Sequence, residues 1–210
     1  MDFEIIKPAD IEKRSFAIIT EELGDRVFPE EIGLVVKRVI HTSADFDYAD
    51  NLVFSEGAVP RALEAIRNGA HIVTDTNMVK AGINKKTLAK FGGEVHCFVA
   101  DADVAEEAKQ RGVTRSTVSM ERAAKLDVPV IFAIGNAPTA LIELDRLMRE
   151  QDLKPELIIG VPVGFVNVVP SKELIISLPD TPYIVARGRK GGSNVAAAIC
   201  NALIYQLTRK

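Results

Sequence analysis

Tryptophan is missing from this chain, and cysteine, histidine and aromatic residues are all scarce. The only two cysteines, Cys97 and Cys200, lie far apart and form no C-x-x-C pair. That argues against a disulfide framework or a cysteine zinc site, and it fits a reducing cytosol. No apolar run approaches about 18 residues, so no membrane span is expected. The first residues, MDFEIIKPADIEKRSF, carry acids early and have no long apolar core, so they do not read as a signal peptide. A net charge of -3 supplies no basic field for nucleic acid. Three common fingerprints are also missing. GRKGGSN has the wrong spacing for the dinucleotide motif G-x-G-x-x-G, and neither the P-loop nor the G-x-S-x-G elbow occurs.

What is present is a globular composition, 47% hydrophobic over 210 residues. A chain of this size buries roughly 70% of its unfolded surface and needs no staples. Short β-rich runs lie at 33–40, 70–76, 94–100, 128–135, 156–163 and 182–188, with helical patterns between them. Nearly all-apolar strands alternating with helices indicate a mainly parallel sheet covered on both faces. The expected fold class is α/β: one domain over residues 1–210, with a Rossmann-like topology. An N-terminal helix over 9–23 precedes it, with Ile11, Phe16, Ile18, Ile19 and Leu23 as its apolar stripe.

In such sheets ligands bind beyond the carboxyl ends of the strands, so the strand exits are where function is sought. The first expected exit, IHTSADFDYADN, places His41 after the 33–40 run. Its plain reading is a histidine at a helix cap, with Thr42 or Ser43 capping and Asp45 and Asp47 near the N-terminal dipole. Calcium does not fit, because the acids lack the EF-hand spacing and glycine. The second exit offers Asp75, Thr76 and Asn77, either as caps or as lining. The exit at 100–112 reads as a plain cap with no function. Arg115 beside Ser116 reads most commonly as a surface arginine, and its place just before a helical pattern also suits anion contact. At the fourth exit Gly135 permits an unusual turn, Asn136 caps and Pro138 opens a helix. The fifth, GVPVGFVNVVPSK, suggests a shaped wall. The sixth joins Arg187, Arg189 and Lys190 to Gly191, Gly192, Ser193 and Asn194 at a helix start. Basic side chains, permissive glycines and a helix N-terminus together favour an anion-binding nest over an ordinary basic loop.

For metals, His96 and Cys97 are adjacent on an expected strand, point to opposite faces and cannot chelate together. His71 opens a strand and reads as structural. No metal site is expected. What remains is a pocket rimmed by helix N-termini and a few cations, with one histidine. It suits a multiply anionic ligand and a single proton-transfer group.

The stretches RVIHTSADFDYADNLVFS, IVTDTNMVKAGI, VTRS, AIGNAPTALIEL, GVPVGFVNVV and GRKGGSNVAAA follow one another in order. In them the chain resembles the precorrin-8X (cobalt-precorrin-8) methylmutase family, from about residue 5 to the end. Pro170, where an acidic or small residue is expected, is the one visible departure. The resemblance implies an isomerase of corrin (cobalamin) biosynthesis. It moves a methyl group between neighbouring ring-C carbons, formally a [1,5]-sigmatropic shift, without an external cofactor, and it acts as a homodimer with sites near the interface. It makes His41 the general acid toward the ring-C nitrogen. Ser15 and Arg115 become substrate contacts. The loops at 75–77, 136–139 (with Thr139) and 188–194 meet the acetate and propionate arms. A helix N-terminus at His41 would disfavour its cation, while the nearby aspartates would favour it. Two other readings stay open: a nucleotide-dependent α/β enzyme and a non-catalytic corrinoid carrier. Partners other than the tetrapyrrole and a second copy, such as nucleic acid or membrane, are not expected, and the cytoplasm is the expected location.

Overall fold

A computed structural model describes residues 4–208. Its helices are α1 (Ile11–Leu23), α2 (Glu30–Ser43), α3 (Tyr48–Asn51), α4 (Ala58–Arg67), α5 (Asn77–Gly82), α6 (Lys85–Leu88), α7 (Ala102–Arg111), α8 (Arg115–Ala123), α9 (Pro138–Gln151), α10 (Val168–Ile176) and α11 (Ser193–Gln206). Six strands, β1 (Leu52–Phe54), β2 (His71–Thr74), β3 (Val95–His96), β4 (Val130–Ile134), β5 (Leu157–Gly160) and β6 (Tyr183–Ala186), form one sheet in the order β1-β6-β5-β4-β2-β3. All neighbours are parallel except β1 and β6. The expected α/β sheet with helices on both faces is therefore present. Among the described residues, no helix is long and apolar enough to cross a membrane.

Alternation along β4 divides the core. Ile131 and Ala133 pack with α2, α4 and α11 on one face. Val130, Phe132 and Ile134 pack with α8, α9 and α10 on the other. From β2 the chain moves outward to β3, and from β4 it moves the opposite way to β5. The strand order thus reverses between β2 and β4, and the crevice beyond their carboxyl ends is the place such sheets offer a ligand.

One expected strand is a helix. Residues 33–40 lie inside α2. Val35, Val36, Val39 and Ile40 are each at most 1% exposed, at positions i, i+1, i+4 and i+5, which is one face of a 3.6-residue period. A β-branched residue costs a helix roughly 0.5 kcal/mol relative to alanine. Burying it contributes about 1.5–3 kcal/mol, so packing against α11 decides the conformation. Glu30 and Glu31 in the first turn suit the helix dipole.

This relocates His41. It is not at a strand exit but in the last turn of α2, at the carbonyl end of the helix dipole. Thr42 and Ser43 do not cap a following helix; they belong to α2, whose C-cap is Ala44 with φ 52°. His41 therefore lies at the opposite end of a helix from the N-terminus expected for it. The strand that was not expected is β1. Its three residues pair antiparallel with β6, Leu52 opposite Ala186 and Phe54 opposite Ile184. The run at 94–100 shortens to the two paired residues of β3. On α1 the inner part of the expected stripe holds, since Ile19 and Leu23 are buried. Ile11 and Ile18 are exposed.

Candidate active site

The rim of the crevice is built from loops that fix one another. Asp75, 1% exposed at the end of β2, accepts hydrogen bonds from the backbone N–H groups of Gly135 (2.9 Å), Asn136 (2.8 Å) and Ala137 (2.6 Å) beyond β4. Burial pushes its carboxyl up, and the three N–H donors pull it back. Asp75 thus faces inward and orders the rim, rather than presenting its carboxylate to a ligand. Thr76 caps α5 by accepting from the Val79 N–H, and its Oγ1 is hydrogen-bonded to Ser193 Oγ at 3.0 Å. Asn77 and Asn136 are exposed on the same rim.

The turn before α11 is close-packed. A Cβ on Gly191 would lie 2.1 Å from the Val161 carbonyl oxygen, and one on Gly135 would lie 2.8 Å from Ser193 Cα. The Gly192 N–H donates to the Val161 carbonyl at 2.8 Å, and its φ of 132° is glycine territory. The three cations of this loop are each engaged. Arg187 pairs with Glu173 at 3.2 Å. Arg189 lies over the Phe165 ring at 5.4 Å. Lys190 Nζ donates to Asp45 and to Asp47, each at 2.6 Å. The lysine holds the Asp45 carboxyl below its ordinary range, and the two aspartates push the lysine up. Lys190 therefore ties the α11 turn to the loop that follows His41.

Beneath this turn lies a group that the sequence did not single out. Lys172, on α10, has no exposed surface. Its Nζ donates to the carbonyls of Gly188 (2.9 Å) and Lys190 (2.8 Å). Burial pushes its ammonium down to about 8. Its signal was a lysine one turn into α10, which reads from sequence as an ordinary surface cation.

His41 is exposed. Its ring stands edge-on to Phe16 of α1, centroids 5.6 Å apart at 76°. It lines a cavity of about 300 Å³ together with Arg38, Thr42, Gly82, Asn194, Asn201 and other residues of α1 and α11. Arg38, one turn before His41, was also missed. It makes a two-pronged contact with Glu12, at 3.0 and 2.8 Å, and lies over Phe16 (4.7 Å) and Tyr205 (5.3 Å). Arg38 and Asn194 line the same cavity as the imidazole, and the Asn201 amide ties α11 to the end of α5, accepting from the Asn84 N–H and donating to the Gly82 carbonyl, each at 2.8 Å. Gly82 lets α5 meet α11, since a Cβ there would be 2.8 Å from Ala197 Cβ.

The structure brings His41 and Asn194 to one cavity, Thr76 to Ser193, and Lys190 to the end of α2. It does not gather every candidate. The Ser15 hydroxyl donates to the Ile11 carbonyl within α1 at 3.0 Å, and Ser15 is not among the residues lining the His41 cavity. Arg115 is exposed at the start of α8, and Ser116 is buried behind it. Thr114, which caps α8, donates to Thr139 Oγ1 at 3.2 Å, so Arg115 stands near the N-terminus of α9.

One cluster was invisible in the sequence. His71 and His96, on neighbouring strands, approach to 2.8 Å between Nδ1 and Nε2. Strand pairing across intervening residues, not sequence adjacency, sets that meeting.

A model of the precorrin-8X methylmutase family matches residues 10–206. The chain belongs to that family. A cobalt-precorrin-8 methylmutase from Priestia megaterium is 48% identical over 94% of this chain and 88% of that protein. A precorrin-8X methylmutase from Pseudomonas aeruginosa is 39% identical over 92% and 93%. The crystal structure of a precorrin-8X methylmutase from Thermus thermophilus superposes with a TM-score of 0.84 at 39% identity, covering 93% of this chain and 96% of that one. The resemblance carried by the loop motifs therefore holds, and the chain is a methylmutase, an isomerase of the corrin pathway.

Proposed function

We propose that this isomerase moves a methyl group between adjacent ring-C carbons of precorrin-8X or cobalt-precorrin-8, giving hydrogenobyrinate or cobyrinate, with His41 as general acid. The observation that carries the residue assignment is the exposed imidazole at a cavity shared with Arg38, Asn194 and Asn201. His41 donates a proton, or a hydrogen bond, to the ring-C nitrogen. That draws electron density from the ring and lowers the barrier to carbon migration. A positioned acid contributes about 10²–10⁴-fold, and holding the macrocycle in a reactive geometry supplies the rest. The acetate and propionate arms meet Thr76, Asn77 and the loops at 136–139 and 188–194, with Arg115 as a further cation. Ser15 contacts substrate from α1.

The size of the cavity bears on assembly. At about 300 Å³ it sits at the low end of the roughly 300–1,000 Å³ of small-molecule sites, enough for one edge of a tetrapyrrole. A second copy of the chain completes the enclosure in this reading. The exposed Val163, Phe165 and Val166 offer it an apolar surface beside the 188–190 loop.

The test is turnover of purified His41→Ala on metal-free and cobalt-containing substrate, followed by visible spectrum and by mass, which must stay constant. Loss of turnover by about 100-fold or more with unchanged far-UV circular dichroism is expected. Turnover at the wild-type rate overturns the role of His41. Binding without turnover in the wild type would instead leave a corrinoid carrier.

A further inference from the structure

His71 opens β2, Glu94 immediately precedes β3 and His96 ends it. The parallel register sets Ile72 opposite Val95 and Val73 opposite His96. Alternate residues share a side of the sheet, so positions 71, 94 and 96 fall on one side. One ligand atom from each of His71, Glu94 and His96 lies within 4.8 Å of the others. The two histidines are half-buried and the glutamate is exposed, so an ion reaches them from solvent. None of the three lines the His41 cavity, so the cluster is distinct from it.

We propose that His71, His96 and Glu94 form a site for a divalent transition-metal ion of the zinc class. Two imidazoles and a carboxylate suit zinc, copper(II) or nickel(II), not magnesium or calcium, which prefer all-oxygen shells. Three protein ligands leave one tetrahedral position for water. In the metal-free protein the 2.8 Å contact between the rings is a hydrogen bond, with one ring as donor. When the ion enters, the donor ring passes its proton to its outer nitrogen, so both facing nitrogens offer lone pairs and the neutral pair releases no proton. The nitrogens part to about 3.3 Å, the separation of two bonds of about 2.0 Å at a tetrahedral angle. The nearby Lys80 ammonium opposes a cation here and weakens the site relative to one without it. The ion would lock the two-residue strand β3 onto β2.

The test uses the full chain, stripped with EDTA and dialysed, then titrated with zinc chloride by calorimetry and by histidine-ring NMR. One zinc per chain and a raised melting temperature are expected, with shifts of the His71 and His96 ring nitrogens. Magnesium chloride should leave both unchanged. His71→Gln and His96→Gln should each weaken binding by about 100-fold or more, and Glu94→Gln by about 10-fold. His41→Ala should retain it. The proposal is overturned if the wild type shows no saturable binding by about 1 mM zinc, or if zinc perturbs only His41. Equal affinity in folded His71→Gln and His96→Gln would overturn it too. Should either variant fail to fold, the wild-type ring shifts alone decide.

Discussion

A lysine with no exposed surface is costly unless its ammonium is held, and Lys172 is held by two backbone carbonyls of the Lys190 turn. Lys172→Met leaves those carbonyls without a donor, so the turn should loosen. We expect a raised KM with a smaller change in kcat, and Lys172→Arg, which keeps the charge but not the fit, should recover only part of it. Steady-state kinetics on the purified variants checks this. The same group sets a pH dependence. Its value is about 8 in the fold against 10.5 unfolded. Between these limits the unfolded chain binds the additional proton, so this lysine's contribution to stability rises with pH. The stability of wild type minus that of Lys172→Met should therefore grow from pH 8 to 10.5, read from urea melts at intervals across that range. Asp75 is a second buried anchor. Asp75→Asn removes the charge that three N–H donors share and should destabilise the fold by about 1–3 kcal/mol. Thermal melts of that variant check it.

Among the elements, α2 teaches most. Its β-branched run has the local propensity of a strand. The spacing 35, 36, 39, 40 was already in the sequence, and it is helical. Ile40→Ala, at a site 1% exposed, should cost about 2–5 kcal/mol in urea unfolding while helical circular dichroism persists. The strand exits at 75–77, 135–139 and 188–194 were legible because glycine, proline, asparagine and serine mark turns by mechanism. Other neighbours could not be read that way. Arg38 meets Tyr205 only because α2 packs on α11, and His71 meets His96 only through β2–β3 register. The burial of Lys172 could not be read either, because a side chain's burial depends on what folds over it. The strand β1 escaped because three residues are too few to show alternation.

At the scale of the whole molecule, two apolar cores share one sheet. The proposed second copy predicts sedimentation at twice the 22.9 kDa chain mass. Co-elution as a monomer at micromolar concentration would count against it. The sheet itself has a further consequence. Its two margins are β1 and β3, three and two residues long. A foreign strand needs a row of unsatisfied amides to add itself, and such short borders present almost none. Neither margin therefore invites fibrous self-association.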